Sequence, residues 1–76
     1  MLLAKVECEK VSVEKLVELL IFSTKQLKVW LYSKKVYASF FIDSFTLLKS
    51  LVKTLQENKV RFRFYRIEEV KYGQGN

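Results

Sequence analysis

Leu27-Lys28-Val29-Trp30-Leu31-Tyr32-Ser33 and Val36-Tyr37-Ala38-Ser39-Phe40-Phe41-Ile42, separated by Lys34-Lys35, decide the architecture of this chain. In the first run Leu27, Val29, Leu31 and Ser33 alternate with Lys28, Trp30 and Tyr32. In the second, Val36, Ala38, Phe40 and Ile42 alternate with Tyr37, Ser39 and Phe41. A period of two is the mark of a strand with one buried face, and two such runs joined by a short polar turn predict a β-hairpin. Because successive side chains point to opposite faces of a strand, the hairpin sends its aliphatic set one way and a set of rings and lysines the other.

Upstream of the hairpin the period changes. Val13, Leu16, Val17 and Leu20 follow the i, i+3, i+4, i+7 spacing of an amphipathic helix, with Ser12 as N-cap and Val11 placed to staple onto Leu16, which predicts a helix over 12–23. Ahead of it Leu2 to Cys8 alternate, with Ala4, Val6 and Cys8 on one face and Leu3, Lys5 and Glu7 on the other. Downstream, Asp43 is expected to cap a second helix whose apolar stripe is Phe45, Leu48, Leu51, Val52 and Leu55, with Ile42 stapled onto Leu47 and Asn58 as a left-handed terminator. Val60 to Arg66 then alternate as a last strand, with Val60, Phe62 and Phe64 facing the helices and a continuation through Glu68-Glu69-Val70-Lys71.

The order β-α-β-β-α-β predicts an α+β, ferredoxin-like fold: a four-stranded antiparallel sheet in the spatial order 4-1-3-2 with two helices on one face. At 76 residues, with no linker, repeat or low-complexity stretch, the chain is expected to be a single domain over 1–76, with residues 73–76 as a frayed tail around Gly73 and Gly75.

Half of the residues are hydrophobic and 29% are charged, a composition that folds rather than staying disordered. The longest apolar run, Leu19-Leu20-Ile21-Phe22, is too short to span a bilayer, and the start of the sequence has no basic leader followed by an apolar stretch. One cysteine excludes an internal disulfide, and the absence of histidine removes the commonest zinc ligand, so a reducing cytoplasm is the expected compartment and no metal or cofactor is expected. Fourteen Lys and Arg against eight Asp and Glu give a formal charge of +6, which favours a polyanionic partner.

With both helices on one face, the other face of the sheet is left open. Strand alternation places on it Lys5 and Glu7, then Lys28, Trp30 and Tyr32, then Tyr37, Ser39 and Phe41, then Arg61, Arg63 and Tyr65. Rings interleaved with cations are a surface that a partner should cover. Bases stack on rings while Arg and Lys hold phosphates, and a second subunit could bury the same rings. The candidate binding residues are Lys28, Trp30, Tyr32, Tyr37, Phe41, Arg61, Arg63 and Tyr65.

Catalysis is not expected. Asp43 is the only aspartate, no glycine-rich phosphate loop and no Cys-x-x-Cys pair is present, and Cys8 falls on the inward face of its strand. Acylphosphatases share the topology but require an Arg in the first strand-to-helix loop, where this chain has Glu9-Lys10-Val11. Glu68 and Glu69 point to opposite faces, and Glu14 and Glu18 are expected to form a solvated helix face.

Two resemblances bear on function. The topology is similar to that of RNA-recognition motifs, and Lys35-Val36-Tyr37-Ala38 resembles the opening of their third-strand signature, with Val36 where glycine is expected and Ser39 where an aromatic is expected. Residues 2–57 are collinear with, and Asp43, Leu47, Ser50, Leu51 and Leu55 resemble the second helix of, the CTAG/Pcc family, the small dimerising subunit of the KEOPS tRNA-modification complex. The chain departs from that family at Leu48, where Arg is usual, at Val52, where Asn is common, and after Asn58, where a basic strand replaces a longer helix. The resemblance implies dimerisation, docking onto a catalytic subunit and contact with tRNA, without a catalytic residue. The expectation is therefore a non-catalytic binding module contacting RNA or single-stranded nucleic acid through the open sheet face. The alternative is an assembly subunit, homodimeric or heteromeric, that uses the same face or the sheet edge, with no membrane partner in either case.

Overall fold

The computed structural model describes residues 1–71. Its elements run β1 (Leu2–Glu9), α1 (Val13–Leu20), β2 (Lys25–Tyr32), β3 (Lys35–Ile42), α2 (Phe45–Glu57) and β4 (Arg61–Glu69), in one antiparallel sheet ordered β2-β3-β1-β4. This is the expected ferredoxin-like α+β topology. The tail expected at 73–76 lies outside the described residues. No helix among the described residues is long and apolar enough to cross a membrane.

The core is what alternation requires. Leu2, Ala4, Val6 and Cys8 of β1 and Val36, Ala38, Phe40 and Ile42 of β3 are buried beneath Leu16 and Leu20 of α1 and Leu48, Leu51 and Leu55 of α2, with Val60 closing one end. The two central strands supply one complete apolar face each, and both helices cover it. Within this core the Cys8 thiol is buried, and the loss of water around its charged form pushes its pKa up to about 11. A thiol that stays protonated at neutral pH is a poor nucleophile. The folded protein should therefore leave a thiol reagent unconsumed at pH 8 until denaturant is added; rapid labelling of the native state would show that β1 opens.

Local chemistry sets the helix ends, three of which differ from those the sequence predicts. Ser12 caps α1 as expected, its Oγ accepting from the Lys15 N–H at 3.0 Å, but the helix stops at Leu20 and not at residue 23. The Thr24 hydroxyl donates to the Leu20 carbonyl at 2.8 Å and satisfies one of the terminal carbonyls. In α2 the cap is Ser44 and not Asp43: Ser44 Oγ accepts from the Leu47 N–H at 3.2 Å, while Asp43 pairs with Lys25 at 3.1 Å. The expected stripe residues Leu48, Leu51 and Leu55 are buried, but Phe45 and Leu47 are exposed, and with the cap one residue later the expected Ile42–Leu47 staple loses its register.

The terminator also moves by one. Asn58 is not left-handed (φ −92°); Lys59 is (φ 59°). Lys59 N–H donates to the Gln56 carbonyl and Val60 N–H to the Leu55 carbonyl, both at 3.0 Å, and the buried Leu55 and Val60 flank the turn. These are the two bonds and the apolar contact of a Schellman motif, built here on lysine where glycine is the usual choice. The hairpin is similar: Ser33 (φ 52°) and Lys34 (φ 69°) both take positive φ, the type I′ arrangement whose twist matches the flanking strands.

Candidate nucleic-acid interface

The registers convert the open face into rows running across the sheet. One row is Trp30, Tyr37, Glu7 and Arg63; the next is Lys28, Ser39, Lys5 and Arg66; a third contains Phe41, Leu3 and Glu68. On the other side of the first row, Tyr32 stands opposite Lys35 and Glu9 opposite Arg61. Rows are two residues apart along each strand, about 6.6 Å.

Four of the five expected rings gather around Tyr37. Trp30 is stacked on it, with centroids 5.9 Å apart and planes 12° apart, while Tyr32 and Tyr65 meet it edge-on at 6.3 and 6.2 Å. Offset stacking and edge contacts are the arrangements that ring quadrupoles favour. Tyr65 belongs to β4 and Tyr37 to β3, so its ring reaches over the intervening β1. The rings keep open surface: Trp30 is 41% exposed, Tyr32 68% and Tyr65 43%. Phe41 is not in this cluster. It sits two rows away along β3, beside Met1, Lys25, Gln26 and Val70.

Tyr65 owes its place to an irregularity. The β1–β4 register passes from Val6 opposite Phe64 to Lys5 opposite Arg66, leaving Tyr65 as the extra residue of a bulge. Beyond it the faces exchange parity. Arg66 and Glu68 join the open face opposite Lys5 and Leu3, and Ile67 and Glu69 turn to the helix side opposite Ala4 and Leu2. Glu68 and Glu69 remain on opposite faces, as the sequence suggested.

At the centre of the face lies one carboxylate, Glu7, held between two cations. The Glu7 side chain is only 14% exposed and accepts from Lys35 Nζ at 2.7 Å and from an Arg63 guanidinium nitrogen at 2.9 Å. Hydrogen bonds from Lys35 and then Arg63 hold its carboxyl below the usual range, and the Glu7 bond in turn raises the Lys35 ammonium above its ordinary value. Lys35 also reaches Glu9 at 3.5 Å. Arg63, expected as a free phosphate ligand, thus arrives already committed to Glu7. Arg66 Nε is likewise bound to Glu68 at 2.7 Å. Lys5, Lys28 and Arg61 make no ion pair among the described residues.

Of the expected site residues, Trp30, Tyr32, Tyr37, Arg63 and Tyr65 therefore line one shallow depression together with Glu7. Lys28 flanks it in the next row and Arg61 on the opposite side, where it lines a second hollow with Glu7, Glu9, Phe62 and Arg63. Lys35 and Arg66 are not among the candidate binding residues expected from the sequence. Counting alternation from the start of β3 would have found Lys35, whereas Arg66 is visible only through the bulge. Among the described residues, no group of three His, Cys, Asp or Glu side chains could hold a metal ion.

Comparison with family models, with curated proteins and with solved structures gives no match to this chain.

Proposed function

We propose that the chain is a non-catalytic module that binds single-stranded nucleic acid, RNA above all, on the open face of its sheet. The observation that carries the reading is the four-ring cluster around Tyr37, left partly exposed and flanked by Lys28, Lys5 and Arg61, cations that make no ion pair among the described residues. Rings supply stacking surfaces for bases and tolerate any sequence, while the flanking cations supply the salt-sensitive attraction to phosphates. Glu7 orients Lys35 and Arg63 and, by pairing with both, leaves them less free to hold a phosphate than Lys5, Lys28 and Arg61. The backbone of the strand would then run along the lysine row, with bases directed toward the rings.

Titration of a labelled single-stranded oligoribonucleotide at several salt concentrations tests this. Replacing Lys5 and Lys28 by Ala should weaken binding and reduce the salt slope by about 0.7 per lost phosphate contact. Arg61→Ala should lower the slope more than Arg63→Ala, because Arg63 is held by Glu7. Lys49→Ala and Lys53→Ala, on the exposed side of α2, should change nothing. Equal losses from all these substitutions would reduce the protein to a generic polycation.

A second reading is that of an assembly subunit, of the KEOPS small-subunit kind. It is supported by the collinear elements over residues 2–57 and by the exposed apolar Leu31, Phe45 and Ile67, which a partner would cover. The strand β4 and the capping of α2 by Ser44 in place of Asp43 count against it.

A further inference from the structure

The two edges of the sheet are unlike. The β2 edge is interrupted by a register shift between Lys25 and Lys28, with Gln26 at φ 53°, a distortion that blunts an edge against further pairing. The β4 edge runs for nine residues and has no strand beside it among the described residues. Its charges are sorted by sign along the strand: Arg61, Arg63 and Arg66 precede Glu68 and Glu69. A strand with that polarity repels a parallel copy of itself and attracts an antiparallel one.

We propose that the chain forms a two-fold dimer by antiparallel pairing of β4 with β4 of a second copy, Arg63 standing opposite the partner's Glu68 and Phe64 opposite the partner's Ile67. Residues that face each other across an antiparallel pair share a face of the sheet. In a regular strand, residues 63 and 68 would lie on opposite faces, as would 64 and 67. The bulge at Tyr65 corrects this: Arg63 and Glu68 are both on the open face, opposite Glu7 and Leu3, and Phe64 and Ile67 both on the helix face, opposite Val6 and Ala4. One register therefore matches both pairs at once, and the two-fold axis makes each of them twice.

Ile67, 43% exposed on the helix side of an edge strand, gains cover from the partner's Phe64. On the open side the charges alternate from Glu7 to Arg63 to the partner's Glu68 to the partner's Arg66, continuing ion pairs already made within each chain. Backbone hydrogen bonds supply the attraction, and the charges fix orientation and register, since single exposed ion pairs are weak. Both open faces then lie on the same side of one eight-stranded sheet, with a ring cluster on each half. The dimer leaves the rings uncovered, so it stands or falls separately from nucleic-acid binding.

Sedimentation at micromolar concentration should give a dimer, and Glu68→Arg, an exposed change that leaves circular dichroism intact, should give a monomer. Register is read by oxidising the double variant Arg63→Cys, Glu68→Cys. A disulfide needs Cα atoms within about 7 Å, whereas these positions are about 16 Å apart along one strand, so no bond closes within one chain and the covalent dimer expected is the one across the proposed axis. Each single variant should remain uncrosslinked. A monomeric wild-type protein, or a dimer that survives Glu68→Arg and dissociates on Trp30→Ala, overturns the proposal.

Discussion

Phe40→Ala is expected to leave the domain largely unfolded at room temperature. Phe40 is the largest fully buried side chain, on the helix face of β3 opposite Ala4, so nothing on the neighbouring strand is large enough to fill the space it vacates. Truncating a buried phenylalanine costs about 3–5 kcal/mol through lost transfer energy and the residual cavity. A single core of this size rarely supplies more than about 3–5 kcal/mol in total. Urea titration followed by circular dichroism should show the variant's midpoint close to zero denaturant. Phe22→Ala gives the contrast, since that ring is 96% exposed and surface changes stay within about 0.5 kcal/mol. Similar midpoints for the two variants would mean that the sheet does not pack on its helices as described.

Tyr37→Ala should produce the largest loss of nucleic-acid affinity of any single ring. It touches Trp30, Tyr32 and Tyr65, so its removal takes away one stacking surface and the support of three others. A lost stack costs about 1–3 kcal/mol, which corresponds to about 5- to 150-fold in the dissociation constant. The salt slope should stay nearly unchanged, because no phosphate contact is lost. Tyr37→Phe keeps the ring and should retain most of the affinity, which separates stacking from the hydroxyl and from any loss of stability. Phe41→Ala, two rows away on the same face, should have little effect. An equal loss at Phe41 would mean that the ligand follows β3 and not the ring cluster.

The fold was legible because its strongest signal, alternation over four strands, depends only on which face is apolar. Val6, Ala38 and Phe40 could be placed inside without knowing any contact. The helix ends were harder to read because adjacent residues compete for the same role. Asp43 and Ser44 are both good caps; Ser44 takes the role, and Asp43 pairs instead with Lys25 across the β2–β3 end. The left-handed position at Lys59 carries no compositional mark at all, since lysine there only tolerates what glycine would favour. On the sheet, alternation gave the correct faces up to Tyr65 and lost parity from Arg66 onward, because a bulge is a property of two strands and one strand's sequence does not contain it. The Glu7 hub was missed for a related reason. Lys35 and Arg63 lie 28 and 56 residues away, and only the β3-β1-β4 order brings them to one carboxylate.

That strand order also constrains the route by which the chain acquires its shape. Of the six described elements β1 is synthesised first, and it lies between β3 and β4, so its second neighbour is the last of the six to be made. A nascent chain can close the local β2–β3 hairpin and then join β1, but one edge of that strand must wait until Glu69 has emerged. Contacts so distant in sequence slow folding, because the loop must be closed before they contribute. During that wait, Leu2, Ala4, Val6 and Cys8 lack the cover that Phe62 and Phe64 later help to provide, and the waiting edge is open to β4 of another molecule. The interval between making the first strand and making the last is therefore the window in which this small domain is open to strand exchange.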